Sequence, residues 1–161
     1  MSTYKHLLVG LDLSPESQQV VDRVKQLFAD REVKISLCHI LEPLAFTYGG
    51  DIPVDLSDVQ FQLEQQAKER LSTLAEQLNV ADDNQHVVLG QPANEMHRMA
   101  REQDVDLIIV GSHGRHGLAL IFGSTSNSVL HGAQCDVLAV RITEDNELVL
   151  ANKMAELGII R

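Results

Sequence analysis

The run VDLIIV at residues 105–110, continuing into GSHGRHG at residues 111–117, decides how this chain folds. Its apolar residues are unbroken except for Asp106, and the run is too short for a helix. Such a segment suits a strand buried on both faces, as in the middle of a parallel sheet. The glycines that follow predict a turn in which the backbone comes close to something else. Outward from this strand, Tyr4–Leu11 reads as a first strand and Val33–Ile40 (VKISLCHI) as a second. His86–Leu89 reads as a short third strand and Asp136–Ile142 (DVLAVRI) as a fifth.

Helical spacing fills the gaps. Ser14 is placed to cap a helix that Pro15 opens, with Val20, Val21, Val24, Leu27 and Phe28 on its apolar face. Asp58 to about Leu78 carries the stripe Val59, Leu63, Ala67, Leu71, Leu74 and Leu78, read here as a core face. Gly90-Gln91-Pro92 leads into a helix through Met96, Met99 and Ala100. Leu118 to about His131 predicts a helix interrupted at Gly123. Leu41–Ser57, with Pro43, Gly49, Gly50 and Pro53, reads as a long irregular loop. Strands alternating with helices imply an α/β fold: one open, five-stranded parallel sheet, helices on both faces, right-handed crossovers. After Ile142 the acidic TEDNE and a weakly amphipathic Leu148–Ile160 stand apart. Residues 1–142 are therefore expected to form the domain, and 143–161 a C-terminal extension.

Composition narrows the function. The chain has 161 residues, 44% apolar, with no Trp, two Tyr and four Phe, so its core is aliphatic. Aromatic platforms for stacked bases are scarce. A net charge of −10 without a Lys/Arg run repels nucleic acid and anionic membranes. Cys38 and Cys135 sit in apolar runs and read as buried, reduced thiols. With no leader-like segment and no apolar run near the ~18 residues of a membrane span, the cytoplasm is the expected location.

In an open parallel sheet, ligands sit at the carboxyl ends of the strands where the strand order reverses. The loops after strands one and four are the candidates: Gly10–Ser14, with Gly10, Leu11 and Asp12 as its site residues, on one side, and Gly111–Gly117 on the other. Successive N–H groups of a glycine-rich turn form an anion-binding nest. Gly123-Ser124-Thr125-Ser126 adds a second small-residue turn with three hydroxyls, and a helix opening there favours phosphate. The pattern lacks the lysine of a P-loop and the G-x-G-x-x-G of a dinucleotide fold.

The arrangement resembles the universal stress protein family, whose nucleotide-binding members carry G-x2-G-x9-G-[S/T]. This chain reads G-x2-G-x8-G-S at Gly111, Gly114, Gly123 and Ser124. The likeness extends over residues 3–142, through KHLLVGLDLSPES, the strand ending His39-Ile40, Gly90-x-Pro92, VDLIIVGSHGR and CDVLAVR. It implies a Rossmann-like sheet of order 3-2-1-4-5, similar to the adenine nucleotide alpha hydrolases. It also implies ATP, with or without Mg²⁺, or AMP or ADP as ligand. Asp12 matches the acid near adenine and ribose, and Ile40 the residue whose backbone contacts adenine. Val110 lines the same floor. Gly111, His113 and Gly114, with the cation Arg115, match the ribose and phosphate loop. Gly123, Ser124, Thr125 and Ser126 match the phosphate-binding turn. A homodimer through the last strand and an unidentified protein partner are implied as well. The expected role is a stress-response regulator whose conformation or partner binding follows the nucleotide. A nucleotide-free homodimeric interaction module of the same family is the alternative, and the shorter spacer suits it.

Other chemistries fit poorly. His113 and His116 have no Cys or second acid nearby to complete a zinc site. Ser14, His113 and Asp12 lack the G-x-S-x-G elbow of a hydrolase. Asp12-Leu13-Ser14 lacks the second acid of a haloacid-type phosphatase, and Gly90 stands where a receiver domain needs an acid. The chain reads as a binding protein, with slow ATP hydrolysis the most that its residues suggest.

Overall fold

The computed structural model describes residues 3–44, 56–113, 124–143 and 153–159. Five strands form one sheet: β1 (His6–Gly10), β2 (Lys34–Leu41), β3 (Gln85–Leu89), β4 (Leu107–His113) and β5 (Asp136–Ile142). All pairs are parallel and the order is β3-β2-β1-β4-β5, as expected. The connecting helices are α1 (Ser17–Phe28), α2 (Ser57–Gln77), α3 (Pro92–Glu102) and α4 (Ser124–Gly132).

Each strand divides its side chains between two cores, because successive residues face opposite ways. Leu7, Val9, Leu37, Leu107 and Ile109 pack with Val20, Val21 and Val24 of α1 and with Ala67, Leu71 and Ala75 of α2. Leu8, Cys38, Ile108 and Val110 pack with Met96, Met99 and Ala100 of α3 and Val129 of α4. Both faces of β1 and β4 are thereby dry, and each buried aliphatic chain contributes roughly 1.5–3 kcal/mol.

Several element boundaries differ from the sequence expectation, each for a local reason. β4 begins at Leu107 and continues through Gly111 and Ser112 to His113, paired with β5 throughout. The glycine-rich segment therefore starts inside the strand. α1 begins at Ser17, because the Ser14 hydroxyl and amide are both bonded to Asp12 Oδ1 and do not cap the helix. α4 begins at Ser124; the predicted helical stretch before Gly123 lies outside the described residues. α2 and α3 close on Asn79 (φ 54°) and Asp104 (φ 52°), left-handed residues that the sequence did not flag. Residues 153–159 make one helical turn ending on Gly158 (φ 73°), and the rest of the expected C-terminal helix lies outside the described residues.

The apolar stripe of α2 is core only in its second half. Val59 and Leu63 are 46% and 38% exposed, and Phe61 is 62% exposed. A 21-residue helix is about 31 Å long, whereas the five residues of β3 span about 17 Å. A helix returning from the carboxyl end of β2 must overhang that end of the sheet.

The amino-terminal end of the sheet carries a buried polar network on the α3 side. His6 Nδ1–H donates to the Gln103 carbonyl at 2.9 Å, so in the neutral ring Nε2 accepts from Ser36 Oγ at 2.8 Å. His86 Nε2 is buried without a hydrogen-bond partner among the described residues. Burial holds both imidazoles below their ordinary pKa of 6.5 and Lys34 lowers both further, while the bond to the Gln103 carbonyl, then Asp106 and Asp104, partly offset the effect at His6. A folded-state pKa below the unfolded one stabilises the fold above pH 6.5, and that contribution is lost as pH falls towards the folded value. The melting temperature is expected to drop between pH 7.5 and 5.5, and to drop less in His86→Phe. Equal drops in the two proteins by circular dichroism would contradict this account.

The far end of α4 is held by contact with α3. His97 Nε2 donates to the Val129 carbonyl at 2.8 Å, and a Cβ at Gly132 would collide with the His97 ring. Gly132→Ala is expected to destabilise the domain by about 1–3 kcal/mol in urea titrations. In the His97→Ala background the same change is expected to cost much less, a coupling that additive losses would disprove.

Candidate functional site

A cavity of about 170 Å³ opens at the carboxyl edge of the sheet, where β1 and β4 lie side by side and their connections leave in opposite directions. Gly10 of β1 and Val110 and Gly111 of β4 form its floor, and Leu11 and Asp12 come from the loop after β1. Cys38, His39 and Ile40 close it from β2, and Pro92 and Met96 from α3. Glu16, Ser17 and Val20 enter from α1, Thr125 from the first turn of α4, and Ile142 from the end of β5.

Two glycines make this packing possible. A Cβ on Gly10 would run into the Met96 methyl group and lie 3.4 Å from Val110 Cγ1. A Cβ on Gly111 would sit 3.1 Å from Ile142 Cγ1 and 3.3 Å from Val20 Cγ2. Gly111 thus allows α1 and β5 to approach the strand, rather than making the tight turn expected from its place in the sequence.

The loop after β1 is tightly held. Asp12 Oδ1 accepts from Ser14 N at 3.0 Å, Ser14 Oγ at 2.7 Å and Ser17 Oγ at 2.8 Å. Between them, the buried Leu13 sits at φ 62°, a conformation that costs an L-residue roughly 1–2 kcal/mol. Burial of its side chain and the three bonds to Asp12 offset that cost. On the other side, Leu11 N donates to the Cys38 carbonyl at 2.9 Å and His39 Nδ1–H donates to the Leu11 carbonyl at 2.7 Å. That bond fixes the tautomer, so the neutral ring keeps Nε2 as an acceptor. Burial pushes the Cys38 thiol up to about 12, so it stays protonated and acts as an apolar part of the floor.

The expected site residues fall into three groups. Gly10, Leu11, Asp12, Ile40, Val110, Gly111 and Thr125 all line the cavity. Ser126 lies behind it: 4% exposed, its hydroxyl donates to the Gly111 carbonyl at 2.6 Å instead of facing the cavity. His113 ends β4 and Ser124 opens α4, but their side chains, together with Gly114, Arg115 and Gly123, lie outside the described residues.

Sequence reasoning missed Cys38, His39, Pro92, Met96, Glu16, Ser17, Val20 and Ile142 as lining residues. His39 was within reach, since it adjoins Ile40 at the carboxyl end of a central strand. Met96 and Val20 looked like plain core positions, and only the three-dimensional packing brings them to the cavity wall.

Among the described lining residues there are two carboxylates, Asp12 and Glu16, and no lysine or arginine. The first turn of α4 reaches the same wall through Thr125. Among the described residues no group of three or more His, Cys, Asp or Glu is arranged to hold a metal ion, and no helix is long and apolar enough to cross a membrane.

Known proteins with the same features point one way. Universal stress protein A homolog 2 of Coxiella burnetii is 47% identical over 144 residues, which cover 88% of this chain and 98% of that protein. Universal stress protein A homolog 1 of the same organism is 36% identical over 142 residues, covering 88% and 99%. The solved structure of the hypothetical protein MJ0577 superposes with a TM-score of 0.72 at 23% identity, covering 89% of this chain and all of that one, a likeness of fold. A universal stress protein solved in complex with cAMP gives a TM-score of 0.54 at 26% identity, covering 86% and 98%. The profile of the Universal stress protein family matches residues 3–141. With this match, the Coxiella relatives and the strand order together, the chain belongs to the universal stress protein family.

Proposed function

We propose that this chain binds an adenine nucleotide, ATP with or without Mg²⁺ or its mono- or diphosphate, in the cavity at the carboxyl edge of the sheet. The observation that carries the proposal is the convergence of a mostly apolar slot and a phosphate-type anchor on one opening. Ile40, Pro92 and Met96, with His39 beside them, offer a largely apolar wall for a base. Asp12, held by Ser14 and Ser17, is placed for ribose hydroxyls. The first turn of α4 offers backbone N–H groups to phosphates, with Gly114, Arg115 and Gly123 on the segment between it and β4. A related universal stress protein solved in complex with cAMP supports the adenine nucleotide class.

Binding acts as a switch in this reading. A nucleotide that prefers one arrangement of the loops around β1 and β4 shifts the population towards it and changes the surface that a protein partner reads. Any hydrolysis of the nucleotide is slow in this reading. The domain proper spans residues 1–142, and a second copy of the chain pairs along β5. That strand is bonded on one side only, to β4, among the described residues, and Val140 and Ile142 make it apolar. The eight-residue spacer favours the second reading, a homodimeric module without nucleotide.

Isothermal titration of nucleotide-stripped protein with Mg-ATP is expected to show saturable heat. Silence up to millimolar ATP would remove the nucleotide reading and leave the interaction module. Gly114→Val is expected to weaken ATP at least about tenfold, or 1.4 kcal/mol, while changing the melting temperature little. Sedimentation at micromolar concentration is expected to give a dimer mass, reduced to a monomer by Ala139→Pro in the edge strand. A monomeric wild type would end the β5 pairing proposal.

A further inference from the structure

Ser126 carries an observation that nucleotide binding alone leaves unused. It is the third residue of α4, it is 4% exposed, and its Oγ donates to the Gly111 carbonyl at 2.6 Å. A serine hydroxyl has one proton. With that proton on a carbonyl, the side chain has nothing to donate to a phosphate oxygen, which is itself an acceptor. The hydroxyl therefore serves the backbone and not a ligand.

We infer that Ser126 is a positioning residue: it clasps the amino terminus of α4 to the carboxyl end of β4, so that the first turn of the helix meets the phosphates at a fixed place beside the cavity. The inference rests on the nucleotide reading above. Gly111 suits the anchor. A Cβ on it would press on Ile142 and Val20 at 3.1 and 3.3 Å, and it pairs in register with Val140. Its carbonyl is thus a fixed point of the sheet, and the short bond to Ser126 passes that fixity to the helix. Thr125, the neighbouring residue, lines the cavity, so the clasp acts within one residue of the wall it sets. The other end of α4 is tied to α3 by the bond from His97 to Val129. A helix held at both ends offers its N–H groups without first paying the ordering cost.

The test compares ATP with adenosine, which lacks phosphates, by titration calorimetry on wild type, Ser126→Ala and Ser126→Thr. Ser126→Ala is expected to weaken ATP by about tenfold, the loss of about one charge-assisted contact's worth of alignment. Adenosine is expected to bind within about twofold of wild type, and Ser126→Thr, which keeps the hydroxyl, to restore ATP. If Ser126→Ala fails to fold by circular dichroism, Ser126→Cys, of similar size with a weak donor, takes its place. An unchanged ATP affinity, or equal losses for ATP and adenosine, would overturn the positioning role while leaving nucleotide binding intact. A wild type that binds neither compound would overturn both.

Discussion

β1 and β4 run side by side in parallel register, Leu7 beside Leu107 and Gly10 beside Val110, and the candidate site depends on this pairing. The chain leaves β1 towards β2 and leaves β4 towards β5, so the two exits diverge. The backbone that would otherwise cover the strand ends is drawn aside, and an opening is left where both central strands stop. Burial on both faces makes the pair rigid. Leu7, Leu8, Val9, Ile108 and Ile109 have no exposed surface, so the floor cannot shift without opening a core.

Rigidity of the floor is what gives the loops their geometry. The loop after β1 holds Leu13 in the left-handed region, which a free chain would abandon. It stays there because Asp12 gathers three donors and because His39 and Cys38 bind Leu11 from the neighbouring strand. Local strain at such a place is tolerated when the surroundings over-determine it. The same logic applies across the opening, where Gly111 is wedged by Val20 and Ile142 and then used as an anchor by Ser126. The polar bonds here are few, short and mostly directed at main-chain atoms. They shape the backbone around the opening.

Much of this was legible in the sequence, and the part that was not has a common cause. Apolar runs bounded by turn residues located all five strands, since burial on two faces leaves an unmistakable pattern, and their order followed from the family resemblance. The glycine-rich segment was also visible, though its first glycine turned out to lie inside β4, because strand pairing with β5 extends the ladder beyond the apolar run. Ser14 looked like a helix cap, but Asp12 two residues earlier competes for its hydroxyl and amide. Val59 and Leu63 matched a helical stripe, and nothing in periodicity tells how far the sheet beneath reaches. Ser126 looked like a phosphate ligand because its residue type is right. Its partner is a carbonyl fifteen residues away, a choice set by tertiary packing alone.

The acidity of the chain sharpens the same point. A net charge of −10 and two carboxylates in the cavity wall would repel a polyphosphate if side-chain charge decided binding. Backbone donors at a helix terminus are different in kind. Their partial charge is carried by the peptide units, is unaffected by pH and cannot be neutralised by a nearby Asp or Glu losing or gaining a proton. They act only over the first turn, so their value depends on placement within a fraction of an ångström. Arg115 adds a charge on the segment between the two anchors, but a charge on a long side chain tolerates misplacement and brings no register. In the nucleotide mode proposed above, placement of the main chain would therefore decide phosphate binding, and the buried Ser126 hydroxyl on the Gly111 carbonyl fixes that placement.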